Sequence, residues 1–253
     1  MFEKIKTTTE NNHFDVSTKN YEQGAITIAR VAEGISNIPI PQETLNDWKI
    51  LLSSMRIIDD RLDRTEELNE RKEFANKIID SLNDKVVSFH DDEILNKAKE
   101  DVVKLISTLD DKQRKSFTNS ISNILEITEK IKTEESIKQY ISLANLEGQI
   151  TSRIFMPFLP EEFRKSDNYK KLLHMMSRLG RIGNSFDNLI DLNSDYDNNK
   201  SKIKPNIFNK MLILGSILSN SKSISKDIIT SNSILKELMS CTTKHIKHSF
   251  IKK

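Results

Sequence analysis

Residues 41–70 read PQETLNDWKILLSSMRIIDDRLDRTEELNE. Pro41 suits the opening of a helix, and the residues behind it predict a helical stretch running to about Glu70. Successive helical residues rotate by about 100°, so Asp59 and Asp63 stand on one face with Asp60 beside them. Carried backwards, the same rotation puts Trp48, Leu52 and Met55 on that face, one to three turns earlier. The predicted helix is therefore apolar along one side and acidic where that side ends.

Outward from this stretch the pattern stays helical. The 253 residues hold only 6 glycines and 5 prolines, whereas a β-rich fold with many tight turns would need more. A helix is expected over about 20–35, ended by Gly34 and the Pro39/Pro41 pair. Two or three helices follow in 71–107, with a loop at Lys85–Asp92. Asp110 opens a helix over 111–132, and the next runs from Glu134 to about Phe155. Pro157 and Pro160 mark a break, 161–197 returns to helix, Asp197 to Lys202 reads as a turn, and Pro205 starts a helix of Ile, Met and Leu residues. Residues 1–18 are polar and read as a loose N-terminus, and Lys244–Lys253 as a basic, helical or frayed tail. No linker or repeat stands out, so 19–253 is expected to form one all-α domain.

Thirty-nine Lys and Arg against 37 Asp and Glu leave a formal charge of +2, too balanced to argue for a nucleic acid partner. The 30% charged and 36% hydrophobic composition suits a globular chain. No run of about 18 apolar residues predicts a membrane span, and the first residues carry no signal-peptide core. Cys241 is the single cysteine, which points to a reducing, cytoplasmic setting. His13, His90, His174, His245 and His248 show no metal-ligand spacing.

A second acidic series lies at Asn184-Ser-Phe-Asp-Asn-Leu-Ile-Asp-Leu-Asn-Ser-Asp195. Asn184, Asp187, Asp191 and Asp195 fall within an arc of about 80° on a helix. Gly183, Gly180 and Met176 lie upstream on that face, and their small size leaves room there. Like charges at i, i+4 destabilise a helix, and the C-terminal end of its dipole disfavours anions further. Divalent cations are a natural compensation, since Mg²⁺ binds through a few carboxylates plus substrate phosphates. Each cluster also admits the plainer reading of a solvated charged face.

An Asp-Asp-x-x-Asp series on one helix and an Asp-x-x-x-Asp series on another, about 120 residues later, resemble the class I isoprenoid (terpenoid) synthases. The nearest likeness is to the squalene/phytoene synthase branch. It rests on Arg56-Ile-Ile-Asp-Asp-Arg-Leu-Asp63, on Asn188-Leu-Ile-Asp-Leu-Asn-Ser-Asp195, and on the basic Lys200-Ser-Lys-Ile-Lys-Pro205 that follows. The chain lacks the Gly-Gly-Lys and Arg-Pro elements of chain-elongating prenyl synthases, and its second series replaces the Asn…Ser…Glu pattern of terpene cyclases.

The resemblance implies an antiparallel helical bundle around an apolar cavity, and a Mg²⁺-dependent enzyme (Mn²⁺ the alternative ion) that ionises a prenyl diphosphate. Metal ligands would be Asp59, Asp60 and Asp63 on one side, and Asp187 and Asp191, with Asn184 or Asp195 assisting, on the other. Arg56, Arg153, Arg181, Lys200 and Lys202 are candidates to grip the diphosphate. Trp48, Leu52, Met55, Met176, Phe155 and Phe186, with the clearance at Gly180 and Gly183, are candidates for the cavity; ordinary core packing is the alternative for each. The outcome would be prenyl transfer or condensation, or cyclisation of farnesyl or geranylgeranyl diphosphate. The chain would act as a monomer or homodimer, with peripheral membrane contact to release an apolar product. A non-catalytic helical interaction protein is the competing class, and a helical nucleotide pyrophosphohydrolase a weaker one.

Overall fold

The computed structural model describes residues 22–34, 36–65, 67–89 and 92–228, the side chains of 223–228 excepted. Every regular element among the described residues is helical. These are α1 (22–34), α2 (Gln42–Arg64), α3 (Leu68–Leu82), α4 (Glu93–Ile106), α5 (Asp111–Thr133), α6 (Ile137–Thr151), α7 (Glu161–Lys165), α8 (Asn168–Asp197) and α9 (Ile207–Ile228), with a 3₁₀ turn at Met156–Phe158. The all-α expectation holds. By its internal contacts the chain divides into two compact units, one of Met1–Glu33, Ile38–Thr118 and Pro157–Pro160, the other of Gly34–Asn37, Asn119–Met156 and Glu161–Lys253.

In the first unit α2 packs chiefly on α4, with α3 against both. Trp48, Leu51, Ile58 and Leu62 from α2 are buried, as are Leu95, Ala98, Val102 and Ile106 from α4. Asp92 caps α4 by accepting from the Leu95 N–H at 2.9 Å, and its other oxygen accepts from Arg61 Nε at 2.6 Å, which ties the end of α2 to the start of α4. Burial pushes the Asp92 carboxyl up, but Arg61, the Leu95 N–H and Arg64 together bring it below its ordinary value.

The helix predicted to reach Glu70 stops earlier. Thr65 is extended at φ −84°, ψ 109°, and α3 begins at Leu68. The buried face of α2 ends at Leu62, and α3 buries nothing before Ile78. With no core to hold one straight rod through 65–70, a β-branched threonine is enough to end it. The break carries neither glycine nor proline. Among the described residues the non-glycine residues with positive φ are Asn37, Asp84 and Asn199, so these left-handed turns use Asn and Asp side chains, which tolerate that region.

In the second unit α6 packs most extensively on α8, and α8 on α9. Ile127, Ile131, Tyr140, Ala144, Leu192, Ile203, Ile213 and Ile217 form its buried core. The start of α5, which belongs to the first unit, is capped reciprocally by Asp110 and Gln113, each side chain accepting from the other's N–H at 2.8 and 3.1 Å, the capping-box arrangement. The expected helix over 161–197 is interrupted at Ser166–Asp167, where the Ser166 hydroxyl turns back to the Phe163 carbonyl at 2.7 Å. Residues 1–18, His13, His90, Cys241, His245, His248 and the basic tail lie outside the described residues.

Candidate functional site

The two acidic series fall in different units. On α2, Arg56 stands one turn before the aspartates. Its Nη1 donates to Asp59 at 3.2 Å and its Nη2 to Asp60 at 2.7 Å. The guanidinium thus supplies at i, i+3 and i, i+4 the positive charge that the carboxylates need. Asp59 and Asp63 are exposed. Trp48, expected to line a cavity, is fully buried beside Leu51 and Ile58, while Leu52 and Met55 are half-buried. A groove of about 480 Å³ opens beside α2, lined by Lys49, Ile50, Ser53, Ile57, Ile94 and Lys97 among others. Asp59 and Asp63 point more than about 100° around the helix from it.

The α6–α8 pair is built on a close backbone approach. A Cβ added to Gly148 would meet the Gly180 carbonyl carbon at 2.7 Å and Asn184 Cβ at 2.8 Å; one added to Gly180 would meet the Ser152 side chain at 2.6 Å. The clearance expected over Gly180 is therefore taken up by the backbone of α6. Gly183 is exposed with nothing near its missing Cβ.

From this pinch a polar seam runs both ways, and its pairings show that the two helices are antiparallel. On one side Arg153 Nε donates to Ser177 Oγ at 2.6 Å, and Arg181 Nε to Gln149 Oε1 at 3.1 Å. Burial, and then the charge of Arg181, lower the Arg153 guanidinium from its ordinary value. On the other side Asn184 Nδ2 donates to the Ala144 carbonyl at 2.7 Å and to Glu147 Oε2 at 2.9 Å. Farther along, the Tyr140 hydroxyl donates to Asn188 Oδ1 at 3.0 Å. Asn145 joins Ser185, Ser216 and Asn220, tying α9 to the same seam.

Ser177, Arg181, Asn184, Asn188, Asp191 and Asp195 share an arc of about 80° on α8. The acidic repeat thus continues the face that packs on α6, and only Asp187, exposed, is set to one side. Tyr140 is buried; burial first, then the charges of Asp195, Glu147 and Asp191, hold its phenol above the ordinary tyrosine value. Desolvation likewise raises the Asp191 carboxyl, with Lys200 pulling the other way, although the residue as a whole is exposed. Because α6 starts at Ile137, the acids that end α8 lie beside the first turns of α6, where a helix dipole favours anions. The backbone closes over this end through Lys200 N and Ser201 N, which donate to the Asp195 carbonyl at 2.7 and 3.1 Å.

The seam is thus segregated by charge. Arg181 stands about 9 Å along the helix axis from Asp187 and about 15 Å from Asp191, so the arginine pair and the Asp191 end are separate features. Lys200 is the cation that the structure couples to Asp191. Lys202 instead lines a second pocket of about 540 Å³ with Glu135, Tyr196, Asn199 and Lys204. Phe155 and Met176 are buried in the core, and Phe186 is half-buried against it.

Sequence reasoning missed Glu147, Tyr140 and Asn188. Glu147 had a signal: it is the sole acidic residue between Ser136 and Pro160, and it adjoins the pinch glycine. Tyr140 had none, and Asn188 only its place at the head of the Asn188–Asp195 series, since their pairing comes from helix packing alone. Among the described residues no three His, Cys, Asp or Glu side chains group closely enough to hold a metal ion by themselves, and no helix is long and apolar enough to cross a membrane. No family model, no curated protein and no solved structure matches the chain.

Proposed function

We propose that the chain is a Mg²⁺-dependent class I terpenoid synthase that ionises an allylic prenyl diphosphate, in the manner of the squalene/phytoene synthases. The observation that carries this reading is the Asp191 end of the α6–α8 seam. A carboxylate partly removed from water, with Asp195 and Glu147 bearing on the same buried tyrosine, retains an electrostatic cost that Lys200 and the start of α6 offset only in part. An oxygen-bound divalent cation removes that cost.

The donor set suits Mg²⁺, which takes hard oxygen ligands, keeps several waters and needs only one or two carboxylates besides substrate phosphates. Asp187 and Asp191, with Asn184 or Asp195 assisting, would hold magnesium ions along α8; Asp59, Asp60 and Asp63 would serve on α2. Bound there, the ion supplies Lewis-acid neutralisation of the charge that develops on a departing diphosphate. Glu147 orients Asn184, and Tyr140 holds Asn188 in the row that ends in Asp191. Lys200 offers a cation to phosphate oxygens at that end. On α2, an ion at Asp59 and Asp60 would compete with Arg56 for their oxygens, and a guanidinium displaced from them would donate to phosphate.

The test is incubation with farnesyl or geranylgeranyl diphosphate and Mg²⁺, followed by analysis of the extract. A hydrocarbon of doubled carbon number indicates condensation; a cyclic product or alcohol of unchanged carbon number indicates a terpene cyclase. No product, together with no rise in melting temperature when Mg²⁺ and inorganic diphosphate are added jointly, ends the enzymatic reading. The Arg56 fork favours the second reading, a helical interaction protein whose α2 acids are neutralised internally; it expects that negative result.

A further inference from the structure

We infer that the outward face of α9 is a self-association surface, and that the occupant it fits is a second copy of this chain. α9 is apolar on two sides. Ile213 and Ile217 face the core of the second unit. About 120° around the helix, Ile207, Met211, Leu214 and Leu218 form a second stripe, 80%, 59%, 37% and 61% exposed, with Phe208 beside it at 65%. Their spacing of four, three and four residues is the seam spacing of paired helices.

The extent of this face argues for a partner of equal size and kind. Five side chains of about 200 Å² each, exposed to this degree, present roughly 600 Å², the upper end of what a monomer's largest patch shows. Two such faces together bury at most about 1,200 Å², the lower edge of specific protein interfaces. The stripe also complements itself under a two-fold axis. An antiparallel α9 pair sets Ile207 against the partner's Leu218 and Met211 against the partner's Leu214. Gly215, exposed and with nothing within 4 Å of its missing Cβ, leaves a shallow place on the Phe208 side of the stripe for the other helix. A two-fold interface needs this matching of one patch with itself.

Sedimentation of the full-length chain across a dilution series tests the inference. It expects twice the monomer mass at high concentration, and a dissociation constant at least roughly 100-fold weaker in Met211→Glu and Leu218→Glu, since a charge enters the apolar seam twice. Both positions are exposed, so helix content by circular dichroism should not change. A second measurement covers the case in which a charged variant does not fold: a spin label at Met211→Cys in a Cys241→Ser background. A short inter-label distance that disappears on mixing with excess unlabelled chain supports the pairing. A chain that stays monomeric overturns it, whether residues 229–253 then prove to cover the face or it binds vesicles of anionic lipid. The inference does not depend on the catalytic reading.

Discussion

Replacing Gly180 by alanine sets two effects of opposite sign against each other. Glycine inside a helix costs about 1 kcal/mol relative to alanine, so propensity alone predicts a more stable protein. The geometry predicts the reverse. The new methyl would lie 2.6 Å from the Ser152 side chain and closer still to the Gly148 carbonyl, where carbon contacts settle at about 3.5–4.0 Å. Relief requires α6 and α8 to separate by about 1 Å along their most extensive contact, and such overpacking costs about 1–3 kcal/mol or more. The Ser152 side chain can rotate, but the Gly148 carbonyl belongs to a helix. We expect Gly180→Ala to lose about 2 kcal/mol net and to melt about 4–8 °C lower. Gly183→Ala, three residues on in the same helix with open space above it, should gain about 0.5–1 kcal/mol and melt about 1–4 °C higher. The pair is read side by side by thermal unfolding followed by circular dichroism. If Gly180→Ala melts at or above the parent temperature, the pinch is not the constraint described here.

Three further expectations concern ionisable and polar groups. Asp191 has a raised carboxyl pKa, so the fold holds its proton more tightly than the unfolded chain does. Stability falls as pH rises from the unfolded value through the folded one; Asp191→Asn should therefore raise the melting temperature near pH 7 and lose that advantage below about pH 4, an unchanged difference across the range refuting it. Asp92 is shifted the other way, so its contribution is present above the ordinary carboxylate range and disappears as pH drops through its lowered value. At pH 7 Asp92→Ala should cost about 1–2 kcal/mol and Asp92→Asn less, because asparagine still caps α4 while losing the charge that faces Arg61; equal costs in chemical denaturation would contradict this. Tyr140→Phe strips Asn188 of its donor and should cost about 1–3 kcal/mol in the same assay, whereas a neutral result would show that water replaces the hydroxyl.

The fold was legible where hydrophobic period and punctuation agreed. Asp110 announced α5, the Lys85–Asp92 loop was expected, and Pro205 stood two residues before α9. The boundaries that failed, Thr65 and Ser166–Asp167, have no glycine or proline; tertiary packing sets them, and that cannot be read from a local window. The same limit applies to the second acidic series. Its arc on α8 followed from rotation alone, but the sequence does not say which helix that arc meets. Hence Gly180 read as open space when it is a contact, and Glu147 and Tyr140 stood unnoticed on the facing helix. Trp48, Phe155 and Met176 show the converse, since an apolar residue near a suspected site is most often simply core.

The meeting of Gly148 with Gly180 also fixes the phase of α6 against α8. Side chains that touch only through flexible tips allow two helices to slide; two carbonyl-bearing backbones in contact do not. One residue added to α6 between Tyr140 and Glu147 would leave the crossing in place and swing Tyr140 about 100° away from Asn188, whereas a residue added among 154–160, beyond the crossing, would leave that alignment intact. The chain length between the glycine and the tyrosine works as a vernier, since each residue added there also moves Tyr140 about 1.5 Å along the axis.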